Sequence, residues 1–421
     1  MSESITVTGF AGLKEIVLCL GDFNLLIGPQ ATGKSIIAKL LFYCKSVVWQ
    51  AFTAAENQQS KRDFDRDLIK RFEELFPPQS WGNKAFQIEY KYNDFFVKIS
   101  RSAGTDDNLE IDYSEFLHEE LIRLRRFLKA AQQNPQNENE DFGQREVIFN
   151  MRQSLTTNLQ QKFGPRASSI QLFIPAGRSF FANLQNSVFS FLSGNNAIDP
   201  FLKEFGAFYE NTKRSGNYLR TRAEENKAFL DESESIIQEI LCGKYVIEKG
   251  KDYLDVIDGR RIHLGNCSSG QQETLPLALI LKRLPLLRRS NGHTVYIEEP
   301  EAHLFPMSQR LILELIALTF NTSSPRLQVL ITTHSPYVLT ALNNLLQAGA
   351  LYETLKKTEQ VRLAKLVPQS RAIPIASVSA YALTRDGCKS IIDPETKLLS
   401  AELIDQVSTD LAIQFDHLIG L

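Results

Sequence analysis

Three clusters in this 421-residue chain have the residue types and spacing to handle a triphosphate. The first is Gly28-Pro29-Gln30-Ala31-Thr32-Gly33-Lys34-Ser35, followed by Ile36. The pattern G-x-x-x-x-G-K-[ST] lets backbone N–H groups converge on phosphate oxygens at the positive end of the next helix. Lys34 would reach the β- and γ-phosphates and the Ser35 hydroxyl would ligate Mg2+, so Gly28 to Ile36 are the expected contacts of a nucleoside triphosphate. The second cluster is Glu298-Glu299, at the end of the apolar run Val295-Tyr296-Ile297. A carboxylate in the first position approaches Mg2+, usually through water. The next one polarises the attacking water as general base. Glu298 therefore takes the metal side and Glu299 the water side, and Glu301-Ala302-His303 is expected to turn away from them. The third cluster is His334, leaving the apolar run Val329-Leu330-Ile331-Thr332 at its carboxyl end. Ligands of open α/β sheets gather at that end of the strands, so His334 is expected to face the γ-phosphate.

These side chains need a particular set of elements behind them. Leu25-Leu26-Ile27 reads as a short buried strand before the glycine turn, with a helix from Ile36 onward. The runs at 295–297 and 329–332 read as further buried strands, which points to an α/β fold with a parallel sheet. A fourth stretch, "GNCSSGQQETLPLALIL" (265–281), places Ser268, Gly270 and Gln271 ahead of a leucine-rich helix. By itself that serine reads as a helix N-cap.

Composition is that of an ordinary globular chain: 43% hydrophobic, 23% charged, net charge −2. Nothing in that balance forces a nucleic-acid or anionic-membrane partner. Five widely spaced cysteines form no metal-type cluster and read as reduced thiols. No signal peptide and no apolar stretch of about 20 residues is evident, so a cytoplasmic location and no membrane partner are expected.

The order P-loop, long intervening chain, S-x-G-Q, Glu-Glu and strand-end histidine resembles the ATP-binding-cassette (ABC) arrangement. "CSSGQQE" is similar to the cassette signature, with Cys267 where leucine is usual and Ser269 where glycine is frequent. Glu298 stands where aspartate is common. The resemblance implies a head-to-tail homodimer in which Ser268, Gly270 and Gln271 of one copy meet the γ-phosphate held by Lys34 of the other. "EEPEAHL", "ITTHSPYVL" and "FIPAGRSFF" (173–181) resemble the soluble Rad50, RecF and SMC group more than transporter ATPases. Within it the likeness runs to OLD-type heads and to ATPase subunits of Septu-like and PARIS-like phage-defence systems. Arg178 resembles an arginine recurring near the nucleotide or the subunit boundary in that group.

The implied architecture is an ABC-ATPase head, built from residues 1–44 and 244–421, carrying an inserted mainly helical region at 45–243. Within the insertion, 85–101 alternates like a β-hairpin, and 114–133 and 144–163 read as helices around a polar tip at 133–143. Arg123, Arg125, Arg126 and Lys129 could touch DNA phosphates, although a solvated helix face is the plainer reading. The C-terminal stretch reads as strand, Arg-Asp-Gly turn, strand and closing helix, without a nuclease-type cluster of acids or histidines. The implied function is an ATP-hydrolysing sensor or scaffold controlling a separate effector, expected to be a nuclease, with DNA or another phage-derived trigger. The alternatives are a DNA-binding repair or recombination ATPase, or a nucleotide-binding scaffold with negligible turnover.

Overall fold

The computed structural model describes residues 2–82, 85–102, 109–133, 140–183, 198–214, 224–287, 291–323, 327–385, 387–400 and 413–419. The chain opens with β1 (Glu3–Thr8), β2 (Glu15–Cys19) and β3 (Phe23–Ile27). Two long helical stretches follow, α1 (Lys34–Glu56) and α2 (Lys61–Leu75). The expected hairpin is β4 (Phe86–Tyr92) and β5 (Phe95–Arg101), closed by Asn93-Asp94 with Asn93 at φ 50°. After β6 (Leu109–Tyr113) come α3 (Glu115–Gln133) and α4 (Glu140–Phe163). Residues 134–139, most of the expected polar tip, lie outside the described residues.

Further along are β7 (Ile170–Ile174), the small ribbon β8 (Gly243–Glu248), β9 (Lys251–Val256) and β10 (Arg261–His263), and the helix Ser269–Arg283. The site-bearing strands β11 (His293–Glu298) and β12 (Gln328–Thr333) flank the helix Pro306–Thr322. The helix Pro336–Thr354 leads towards β13 (Val378–Leu383) and β14 (Cys388–Ser390). Residues 413–419 are helical, while 401–412 of the expected closing helix are not among the described residues.

Strand chemistry sorts these elements into layers. β3, β11 and β12 are buried along their whole length, as strands covered on both faces must be. They form a sheet ordered β14-β13-β3-β12-β11-β7, parallel except for the antiparallel edge strand β14. β1, β2, β4 and β5 alternate buried and more exposed residues and, with β6, make an antiparallel sheet ordered β2-β1-β4-β5-β6. Because successive side chains point to opposite faces, Leu26, Phe173, Tyr296 and Leu330 pack on the α1 side of the parallel sheet. Leu25, Ile174, Ile297 and Ile331 pack on the other side with residues of the helices Pro200–Arg214, Lys227–Leu241, Ser269–Arg283, Pro306–Thr322 and Pro336–Thr354.

The division expected at residue 44 falls inside α1, whose buried face continues through Val47, Val48, Ala51 and Phe52. β7, from within residues 45–243, hydrogen-bonds to β11 of the parallel sheet. The sequence reading found no apolar stretch of spanning length, but α1 is long and apolar enough to cross a membrane by composition. Its most apolar window is 67% buried in the protein, and its apolar surface fills the core between the two sheets. Arg123 does not present an open cation: its Nε donates to both Glu120 oxygens at 3.0 Å and its NH1 to Ser154 on α4 at 2.9 Å. All five cysteines are free thiols.

Candidate ATP-hydrolysis site

The parallel register brings the chemistry to one edge. Ile27 pairs with Thr333 and Ala382, and Glu298 with Thr332. The segments leaving these strand ends carry Gly28, His334, Thr384 and Glu299, while β7 delivers Pro175 to Arg178 to the same edge. Gly28 sits at φ 153°, and a Cβ there would lie 2.1 Å from the Leu383 carbonyl oxygen, so no larger residue fits. Gly33 caps α1 in the left-handed conformation without a side-chain hydrogen bond, and no acidic residue lies in the first turn. The positive end of α1 is thus left for an anion. Lys34 is 7% exposed and its Nζ donates to the carbonyls of Gly28 and Pro29, each at 2.7 Å. Burial lowers its pKa below the usual lysine value, partly opposed by Glu299 and Glu301. Around these residues opens a cleft of about 620 Å³, lined by Gln30 to Ile36 and by Glu299.

Glu298 and Glu299 occupy different environments. Glu298 is 6% exposed; one carboxylate oxygen accepts from the Ala176 N–H at 3.3 Å, and the other is buried without a partner. Glu299 is half-buried, with φ 42°, a conformation that costs a non-glycine residue about 1–3 kcal/mol. His334 Nδ1 stands 3.5 Å from Glu299 Oε1.

Glu301 departs from expectation. It does not turn away: Pro300 and the left-handed Glu299 fold the chain back, leaving Glu301 4% exposed. Its Oε1 accepts from the Thr333 hydroxyl at 2.6 Å and from the His334 N–H at 3.2 Å. Glu301 therefore holds the His334 backbone in place.

Ser268 caps the helix Ser269–Arg283 in a reciprocal box with Gln271, and the Gln271 side chain also donates to the Leu241 carbonyl at 2.6 Å. That helix begins at Ser269, so Gly270 and Gln271 lie in its first turn and not ahead of it. Gly270 lies against the loop that follows Glu298-Glu299, where a Cβ would come 2.6 Å from the His303 carbonyl oxygen. None of Ser268, Gly270 and Gln271 lines the P-loop cleft of the same chain.

Several site residues escaped the sequence reading. Ala11 to Lys14, after β1, and Thr384, Arg385 and Gly387, after β13, line the cleft opposite the P-loop. The Arg-Asp-Gly turn was visible as turn chemistry, but nothing local tied it or residues 11–14 to residue 30. Arg178, placed by resemblance near the nucleotide or the subunit boundary, is fully buried beneath the Glu298-Glu299 turn.

The donor set fits ATP with Mg2+. Ser35 is exposed in the cleft, and the unpartnered buried oxygen of Glu298 is the kind of group that a hydrated cation satisfies. Such a fold and site define an ABC-type ATPase. A family profile described as "AAA ATPase domain" matches residues 1–339, and the chain belongs to that family. Among curated proteins it is 28% identical over 191 residues to "Retron Vc95 probable ATPase" of Vibrio cholerae serotype O1 biovar El Tor. That match covers 37% of this chain, which spans about a third (36%) of the relative's length. Among solved structures it is similar to an SMC head bound to the C-winged helix domain of ScpA (TM-score 0.42, 11% identity, 94% and 99% of the two chains). An SMC head domain from Thermotoga maritima gives a TM-score of 0.35 at 11% identity, covering 81% and 91%.

Proposed function

We propose that this chain hydrolyses ATP to ADP and phosphate in a composite site completed by a second, head-to-tail copy of itself. The observation that carries the reading is Glu299, in reach of His334 at the mouth of the Lys34 cleft. Lys34 would exchange its two carbonyl partners for β- and γ-phosphate oxygens, with the first-turn N–H groups of α1 beside it. Mg2+, held by the Ser35 hydroxyl and the Glu298 side, would supply charge neutralisation across the phosphates. Glu299 would take the proton of the attacking water, and His334 would hold the γ-phosphate side of the site. Residues 11–14 together with Thr384, Arg385 and Gly387 would receive the nucleoside. Ser268 and the Gly270 N–H of the second copy would close over the γ-phosphate, which explains why they stand outside their own chain's cleft.

Glu299→Gln should keep ATP bound and slow single-turnover hydrolysis by about 100- to 10,000-fold. Wild-type turnover in Glu299→Gln, with Glu298→Gln inactive, would show the two roles reversed.

At the level of the cell, the reading is an ATPase subunit of a prokaryotic antiphage system that controls a separately encoded effector, a nuclease. The likeness to the retron ATPase supports it. The purified chain should therefore turn over ATP without cutting DNA or RNA in Mg2+ or Mn2+. Tight ATP-dependent DNA binding by the lone chain would favour the repair-ATPase reading instead.

A further inference from the structure

Arg178 and Glu273 are 0% and 1% exposed, the most completely buried charges near the site. Glu273 lies in the first turns of the helix headed by Ser268. Its Oε1 accepts from the N–H groups of Gly177 (2.8 Å) and Arg178 (2.9 Å), and its Oε2 from that of Ser179 (2.6 Å). The guanidinium then fans out. Nε donates to the Glu273 carbonyl at 3.1 Å and NH1 to those of Pro175 (2.9 Å) and Glu298 (2.7 Å). NH2 donates to the Glu299 carbonyl at 3.0 Å. Two of its four acceptors are thus the backbone oxygens of the two carboxylate residues, one of which sits in a left-handed conformation.

A buried charge pair is a poor device for stability alone, because desolvating both ions offsets their attraction. Here the guanidinium is aimed at backbone carbonyls on three segments. Its planar fork serves all of them at once, which an ammonium cannot do. We propose that Arg178, braced by Glu273, is a positioning residue for ATP hydrolysis: it fixes the backbone of Glu298-Glu299 so that the Glu299 carboxylate meets the attacking water. It also makes the Ser268 turn and the catalytic loop one body, since Glu273 and Gly270 belong to the same helix end. The inference rests on Glu299 being the general base.

The test measures Mg2+-dependent affinity for a fluorescent ATP analogue and single-turnover ATP hydrolysis in four chains: wild type, Arg178→Lys, Glu299→Gln and the double variant. Arg178→Lys should bind nucleotide with nearly unchanged affinity and hydrolyse it about 100-fold more slowly, the effect of misplacing a reacting group by about 1 Å. In the Glu299→Gln background the same change should cost nothing further, because Arg178 acts through Glu299. Wild-type hydrolysis by folded Arg178→Lys, with Glu299→Gln inactive, would overturn the proposal. So would losses that multiply in the double variant, the mark of a merely structural arginine. Full activity in Glu299→Gln would instead remove the general base, and the positioning role with it. If the lysine chain does not fold, Arg178→Gln with Glu273→Gln, which removes both buried charges together, is measured against the same outcomes.

Discussion

Lys34 sits where its charge is costly, nearly out of water and hydrogen-bonded to two carbonyls of its own loop. Burial favours its neutral form, so it gives up its proton at a lower pH than an ordinary lysine does. A triphosphate beside it favours the charged form. Affinity for ATP should therefore be flat near neutrality and fall as pH rises through the free protein's lowered lysine pKa. Titration calorimetry across the alkaline range reads this directly, and Lys34→Ala should bind weakly with no such slope. Arg385 stands at the exposed rim of the cleft. Arg385→Ala should raise KM for ATP about two- to fivefold with kcat nearly unchanged, as expected for a solvent-screened cation. An unchanged KM would remove the 384–387 turn from the nucleoside site.

At the scale of elements, the two sheets and α1 are tied together by one buried polar cluster at the end opposite the site. Lys45 on α1 pairs with Glu3 on β1 at 2.6 Å, and Glu3 also accepts from Gln328 on β12 (2.7 Å) and Tyr90 on β4 (2.9 Å). Burial pushes the Glu3 carboxyl up, but Lys45 and the hydrogen bonds outweigh it and hold the pKa below the ordinary value. The sign follows: a lowered folded pKa gives stability that is present at neutral pH and lost as pH falls through that value. Lys45→Met should leave buried Glu3 with only the longer, part-exposed Arg166 pair at 3.4 Å for a cation and cost about 3 kcal/mol in urea unfolding at neutral pH. A loss below about 1 kcal/mol would mean that water reaches Glu3. None of this cluster was legible in the sequence, because residues 3, 45, 90 and 328 meet only through sheet pairing and the packing of α1 against the sheets. The strands ending in Gly28, Glu299 and His334 were legible, since apolar runs buried on both faces announce themselves locally. Glu301 was misjudged because its direction depends on a left-handed residue two places earlier, which no side-chain pattern records. Arg178 was noticed from resemblance alone, and its partner Glu273 looked like an ordinary acid in a helix.

For the whole molecule, the central question is how Ser268 acts if it stands outside its own chain's cleft. Exposed apolar side chains follow the Glu299–Glu301 turn and His334 in the chain: Phe305 is 77%, Met307 56% and Tyr337 52% exposed. Such residues around a polar site suit a face that meets another protein surface. A head-to-tail second copy would cover them and bring each Ser268 turn onto the other chain's phosphates. The most direct measurement is steady-state ATP hydrolysis by Lys34→Ala protein, by Ser268→Arg protein and by their mixture. In the mixed dimer the Ser268→Arg chain supplies an intact P-loop and the Lys34→Ala chain an intact Ser268 turn, so one composite site survives. The account requires each variant to be inactive alone and the mixture to recover turnover. Wild-type turnover by a monomeric Ser268→Arg protein, or no recovery on mixing, would contradict it.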